Sequence, residues 1–492
     1  MFAQSITLSL LLSLSAAPAL AGVEDCPTRS NNTFNKLLEC VTLGGVRQHQ
    51  AALQAIADAN GGYRLSGTSG YDASVDYVSD ELVEAGYAVT VQPFQLQTFI
   101  QLSPALLEQV APAPAGPIDN SIMTYSGSGD VTAAVSTVND MRGCNATDFA
   151  GFPAGNIALI IRGTCTFATK ATNAFNAGAS GVIIYNNVPG PFSGTLGTAF
   201  TLDIGVTSVA LDVGQQLAAT PGLVMRLKTD TFRGIATTYN VLAETLAGDP
   251  NNVVIVGAHL DSVNAGPGIN DNGSGVAAVL EIARQMALVD TRNKVRFAFW
   301  GATESGFVGS TYYVNSLPPT EFGKIALYLD AHMLGSPNAV LFVLDGDNSD
   351  GVGAGAGPAG SAEIERTFAT FFDLNGIPSK GTDLSGRSDY RPFALNNVPV
   401  GGVFAGAEGI KTVEEAAVWG GAAGIAYDPC YQQACDTFAN NNDRALDINA
   451  DATAYATLKY AMDTSDVNDV RGKGNFKKKK VALVPPAGLA TR

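Results

Sequence analysis

Apolar positions along this chain of 492 residues follow two periods, and the places where the period changes outline its elements. Short continuous apolar runs at 253–257, 295–300, 325–329, 340–344 and 398–403 are separated by stretches long enough for a helix. Runs of that kind predict strands covered on both faces, so residues from 234 to about 465 read as a doubly wound, mostly parallel α/β sheet. Upstream, 46–59 reads as a helix carrying His49, followed by the loop Gly61-Gly62-Tyr63-Arg64-Leu65-Ser66-Gly67. Val75, Val78, Leu82 and Val83 then recur at helical spacing, Gly86 ends that helix, and a strand begins at 88–92. His49, remote in sequence from any acidic cluster, is expected to be a surface or capping histidine. Residues 103–120, rich in Pro and Ala, read as a connector.

From about 121 to 232 the pattern changes to short strands (158–161 and 181–185) around a short helix at 167–174. His and acidic residues are not clustered there, so this block is expected to be non-catalytic. The expected organisation is a leader over 1–21, an N-terminal part with connector over 22–120, the β-rich block over 121–232, the α/β unit over 233–465, and a basic tail over 466–492.

Composition narrows the function classes. A formal net charge of −16 argues against a nucleic-acid partner. Residues 6–17 are apolar and Ala19-Leu20-Ala21 precedes Gly22, a pattern that predicts a secretory signal and an exported protein. No later segment is long and apolar enough to predict a membrane span. Six cysteines suit an oxidising compartment. Proximity suggests Cys26 with Cys40, Cys144 with Cys165 and Cys430 with Cys435, although about 15 connectivities are open to six cysteines. Asn31-Asn32-Thr33 and Asn145-Ala146-Thr147 are glycosylation sequons. Lys477-Lys478-Lys479-Lys480, before Pro485-Pro486, reads as a solvated end. Gly355-Ala356-Gly357-Pro358-Ala359-Gly360 fits GxGxxG, but Pro358 inside the turn and the absence of an acidic ribose partner argue against a dinucleotide site.

The candidate chemistry collects at strand ends. The run 253–257 leads into His259-Leu260-Asp261, and Asp271 follows in the glycine-rich turn Asn270-Asp271-Asn272-Gly273-Ser274-Gly275 that opens a helix. Glu304 comes just after the next strand and His332 just after the third. Three consecutive strands therefore lead to residue types that bind zinc, at the sheet edge where α/β proteins keep their chemistry. The chain has only three histidines, and two of them lie here.

Longer motifs surround these residues: Gly70-Tyr71-Asp72-Ala73-Ser74-Val75-Asp76-Tyr77-Val78, Gly257-Ala258-His259-Leu260-Asp261-Ser262, Gly335-Ser336-Pro337-Asn338, Gly386-Arg387-Ser388-Asp389-Tyr390 and Trp419-Gly420-Gly421. Through them the chain resembles the M28 family of secreted zinc aminopeptidases, the aminopeptidase Y and Streptomyces-type leucine aminopeptidase group, over nearly all of 40–465. Arg162-Gly163-Thr164-Cys165-Thr166-Phe167 resembles the protease-associated (PA) domain, which identifies the β-rich block as an insert. The resemblance implies peptide N-termini as ligands and two zinc ions. One would be held by His259, Asp271 and residue 332, the other by Asp271, Glu304 and residue 432. It also implies a general base at 303, Asp261 behind His259, and Tyr431 beside the developing oxyanion.

Three of these positions depart from the family. Thr303 stands where the family has a glutamate base, His332 where it has Asp, and Gln432 where it has His. A threonine hydroxyl is no base at neutral pH, and losing a positioned base costs about 10²–10⁴-fold in rate. His259, Asp271 and His332 remain a zinc set, whereas an amide is a poor ligand, so one ion at most is expected. Asp330, two residues before His332 on the strand, faces the same side and is a possible displaced ligand or base. Three readings stay open: an impaired peptidase fold that binds peptides or protein N-termini, an active enzyme with a mononuclear site, and a metal-free interaction module. A monomer is expected.

Overall fold

The computed structural model describes residues 25–468, apart from 27 and 354. The expected leader over 1–21, and all of the basic tail beyond 468, lie outside the described residues.

Fourteen strands form the frame: β1 (Ala88–Ala111), β2 (Gly116–Pro117), β3 (Ser121–Ile122), β4 (Gly129–Thr137), β5 (Ile157–Ile161), β6 (Gly181–Tyr185), β7 (Gly205–Val209), β8 (Val224–Glu244), β9 (Asp249–His259), β10 (Asn293–Trp300), β11 (Ile325–His332), β12 (Phe342–Leu344), β13 (Lys380–Thr382) and β14 (Val400–Phe404). They join in one sheet, twelve of them in the order β13-β12-β14-β11-β9-β10-β8-β4-β5-β6-β7-β3, with β1 added through β8 and β2 through β1. β9 runs parallel to both β10 and β11, and β11 runs parallel to β14. A second parallel set, β4 to β7, belongs to the inserted block. The long strand β8 pairs antiparallel with β1, β4 and β10 and so connects the two sets.

Side-chain alternation explains why the central strands read as continuous apolar runs. Val254, Val256, Phe297, Phe299, Leu327 and Leu329 pack into one core. Val253, Ile255, Ala298, Trp300 and Tyr328 pack into another, on the opposite face. The helix Gly273–Met286 is buried over most of its length against the first face. Helices Leu43–Ala59 and Asp443–Met462 contribute to the same core.

Three expectations are corrected. Residues 103–111 are not a connector but the second half of β1, paired with β8 as far as Ala111. Pro104 misled the reading. It falls in the register shift between Ser103 and Leu106, where a bulge tolerates a residue without an N–H. His49 is not at the surface: it is 2% exposed, with Nδ1 2.6 Å from Tyr77 Oη and Nε2 3.4 Å from Glu281 Oε2. Asn31, at the first sequon, is fully buried, and its amide donates to the Gln285 carbonyl, so it cannot present itself for glycosylation in the folded chain. The disulfides Cys26–Cys40, Cys144–Cys165 and Cys430–Cys435 are those that proximity suggested. Among the described residues no helix is long and apolar enough to cross a membrane.

Candidate metal centre

The carboxyl ends of β9, β10 and β11 deliver the site. His259 is the last residue of β9 and His332 the last of β11. Asp271 comes from the turn before the helix Gly273–Met286, whose N-cap Asn272 accepts the Gly275 N–H. His259 Nε2 lies 3.3 Å and His332 Nε2 3.5 Å from Asp271 Oδ1. Ligands about 2.1 Å from a tetrahedral centre stand roughly 3.4 Å apart, so this spacing suits one zinc-sized cation. Asp271 Oδ1 is buried without a hydrogen-bond partner, a costly state that a bound cation would relieve. Burial opposes its charge, yet the two imidazoles hold the Asp271 carboxyl well below the usual carboxylate range.

Polar contacts behind these groups fix them. Asp436, 1% exposed, accepts the N–H groups of Asn270 at 2.8 Å and Asp271 at 2.9 Å; burial pushes its own pKa up to about 7. Asn270 Nδ2 donates to Asp428 at 2.7 Å. Asn272 stitches this turn to the end of β11, donating to the Ala331 carbonyl and accepting the Met333 N–H, both at 2.9 Å. Asp261 sits beside the His259 ring, 3.5 Å from Nδ1, and its carboxylate accepts the N–H groups of Thr303 at 3.1 Å and Glu304 at 3.2 Å. Fully buried Arg64 donates to the carbonyls of Leu260, Pro267 and Gly268, bracing the loop after His259. Burial lowers its pKa to about 10. On the open side, His332 stacks on Phe404 with ring centroids 5.7 Å apart.

The remaining expected residues divide. Thr303 Oγ1 donates to Asp389 Oδ2 at 2.8 Å. Asp389 is fully buried, which is the main reason its pKa rises to about 6. Glu304 Oε2 accepts from Gln432 Nε2 at 3.1 Å, so the amide presents its N–H₂ to the carboxylate. Burial first, then the neighbouring Asp271 charge, holds Glu304 well above the ordinary carboxyl range. Tyr431 Oη lies 3.4 Å from Gln432 Nε2. Asp330 is buried and accepts from Ser388 Oγ at 3.1 Å.

Two groups of three metal-ligand side chains converge among the described residues: His259 with Asp271 and His332, and Asp345 with Asp347 and Glu365. Neither contains Asp330 or Glu304. The carboxylates of the second group already accept the N–H groups of Gly346, Ser349 and Asp350.

A cavity of about 860 Å³ opens on the first group, walled by Thr303, Glu304, Phe307, Arg387, Arg391 and Tyr431. Beside it, a groove of about 800 Å³ runs past Glu304 and Gln432 between β1 residues such as Leu96 and Phe99 and insert residues such as Tyr125 and Thr195.

Residues 240–457 match peptidase family M28, and residues 128–217 match the PA domain. An aminopeptidase of Pseudomonas aeruginosa is 47% identical over 450 residues, covering 88% of this chain and 83% of that protein. The chain belongs to the M28 aminopeptidase family. A probable leucine aminopeptidase 2 of Aspergillus oryzae is 41% identical, covering 93% of this chain and 90% of its own length. Among solved structures, an aminopeptidase from an Aneurinibacillus strain superposes with a TM-score of 0.65 at 27% identity, covering 87% of this chain and 96% of that one. A zinc aminopeptidase from Bacillus subtilis shares the fold at TM-score 0.63 and 23% identity, covering 89% and 98%. The mostly parallel sheet with a PA insert is therefore the architecture of this M28 chain.

Sequence reasoning missed Arg64, Asp428 and Asp436, and gave Asp389 no part. Asp389 lies inside a quoted motif, and Arg64 is the one charged residue of a glycine-rich loop. Both were signals available in the sequence.

Proposed function

We propose that this protein binds peptide N-termini at a mononuclear zinc site of the M28 type and hydrolyses them slowly or not at all. One observation carries the reading: the two altered positions beside Glu304 are both committed to neighbours. The Thr303 hydroxyl spends its proton on Asp389, and the Gln432 amide donates to Glu304. A hydroxyl has no basicity to offer water near neutral pH, so the proton-accepting step lacks its group. The Gln432–Glu304 hydrogen bond occupies the carboxylate oxygen that a second ion would need, and an N–H₂ group cannot coordinate.

Zinc, the metal named for the Bacillus subtilis aminopeptidase, would be held by His259, Asp271 and His332 and would polarise a peptide carbonyl as a Lewis acid. Around it, Asp261 keeps the His259 ring oriented, Asp436 fixes the backbone of Asp271, and Tyr431 offers its hydroxyl at the cavity wall. The adjoining groove gives the rest of a peptide a path between the PA insert and the site.

A second reading, an active mononuclear aminopeptidase, is favoured by His332, because loss of a family carboxylate need not have left another ligand type there. Zinc content of purified protein, measured together with release of N-terminal residues from short peptides, separates the readings. One zinc per chain with negligible release is expected. Release that disappears in His332→Ala supports the second reading, two zincs with rapid turnover overturns the first, and protein without metal leaves an interaction module. Export through residues 1–21 and a monomeric state belong to the same proposal; they are checked by N-terminal sequencing of exported protein and by sedimentation.

A further inference from the structure

The cavity over the metal centre holds a cation that no described residue satisfies. Arg387 and Arg391 both line it. Arg387 is engaged, with Nη2 2.7 Å from Glu408 Oε1. Arg391 belongs to the short helix Tyr390–Ala394 and is half-buried. Its guanidinium makes no hydrogen bond or ion pair with any described residue. Its course is set by Gly386, which has φ +78° and no side chain: a Cβ there would come within 2.9 Å of Arg391 Nη1 and 3.3 Å of its Cγ. The arginine thus lies across a bare patch of backbone, with its planar donor fork left over for something else.

The rest of the wall does not compete for it. Glu408 is taken by Arg387, Glu304 accepts from Gln432, and Thr303 donates to Asp389. Arg391 is left without a partner among the described residues, in a protein that is strongly acidic overall.

The geometry points to Arg391 as the recognition group for a carboxylate on the bound peptide. A guanidinium presents parallel N–H donors that match a carboxylate in two-point contact, which a neutral side chain or an ammonium cannot reproduce. Two sources share this chemistry: an acidic side chain at the peptide's N-terminal residue, and the terminal carboxylate of a peptide only two or three residues long. A cavity of about 860 Å³ has room for either. This inference rests on the peptide-binding reading above and names the class of peptide.

The test is calorimetric titration of the full-length protein with three tripeptides: Glu-Ala-Ala-amide, Leu-Ala-Ala with a free C-terminus, and Leu-Ala-Ala-amide. At least one carboxylate-bearing peptide is expected to bind about tenfold more tightly than the neutral amide, the scale of one charge-assisted contact. The peptide that gains identifies the source of the carboxylate. The preference should shrink as salt is raised. In Arg391→Ala the affinities should converge, whereas Arg391→Lys should keep part of the difference. Melting curves of both variants verify that the fold is intact. Equal affinities in the unaltered protein, or a preference that persists in Arg391→Ala, overturn the inference and leave peptide binding standing. Failure of all three peptides to bind instead removes the peptide-binding reading, and this inference with it.

Discussion

Replacing Thr303 with glutamate asks whether this site lacks only its base. The side chain is 7% exposed and lines the cavity, so a longer residue can extend into open volume rather than into packed core. A base in that position contributes about 10²–10⁴-fold, or roughly 2.7–5.4 kcal/mol of barrier. Two features favour the lower end. Gln432 would still occupy Glu304, and Asp389 lies 2.8 Å from the present Thr303 hydroxyl. Because burial already raises Asp389 to about 6, a second carboxylate beside it would share its proton, and the pair would titrate in two steps. Thr303→Glu is therefore expected to raise release of p-nitroaniline from leucine p-nitroanilide by about 10²-fold over the parent, with activity climbing as pH rises through the upper step. Thr303→Gln, similar in size but without basicity, should give no gain. The assay compares the three proteins at matched zinc content and matched melting temperature. Thr303→Glu running no faster than Thr303→Gln would refute the argument, as would a parent already as fast as Thr303→Glu.

Other expectations follow from the same contacts. His332→Ala removes one of three converging donors, and zinc affinity should fall by more than the roughly 10–100-fold typical of losing a group behind a ligand; chelator competition measures this. Asp261→Asn leaves one of the Thr303 and Glu304 N–H groups facing an amide N–H₂, at a cost of about 1–3 kcal/mol in denaturant unfolding. Asp451 lies one helical turn after Asp447; burial and then that neighbour raise it to about 7, and its Oδ1 has no partner. Its folded-state pKa exceeds the unfolded value of about 3.9, so its contribution to stability is full below about pH 4 and is lost as pH climbs to about 7. Asp451→Asn should therefore gain on the parent across that window, by on the order of 1–2 kcal/mol by pH 8, and parallel melting curves at pH 4 and 8 would contradict this.

The sequence was most legible where several constraints coincided. The apolar run before His259, the glycine-rich turn with Asp271 and the strand before His332 each joined a clear period to a ligand-type residue, and the three histidine and carboxylate positions do meet. The contacts of Asp428 and Asp436 behind them were not legible, because these carboxylates reach Asn270 and Asp271 only through folding of a segment 158 and 165 residues away in the chain. His49 was misplaced for a different reason. Its distance in sequence from acidic residues says nothing of its face, whereas Val46, His49, Gln50, Leu53 and Ala57 recur at helical spacing and form the buried stripe. Strand β1 runs on through Pro104, a residue type that usually marks a turn, because the bulge at Ser103 to Leu106 accommodates it.

The pairing of β1 with β8 from Ala88 to Ala111 has a mechanical consequence. Both chain crossings between the peptidase sheet and the PA insert are strands hydrogen-bonded to one another, and along its other edge β8 is bonded to β4 near its start and to β10 near its end. An insert joined by loops would hinge, and the gap beneath it would follow that motion. Here the two sets of strands share a beam, so widening the groove over Glu304 and Gln432 means bending or shearing a ladder of backbone hydrogen bonds. The clearance of the groove is built into the frame, set by paired backbone rather than by any single side chain.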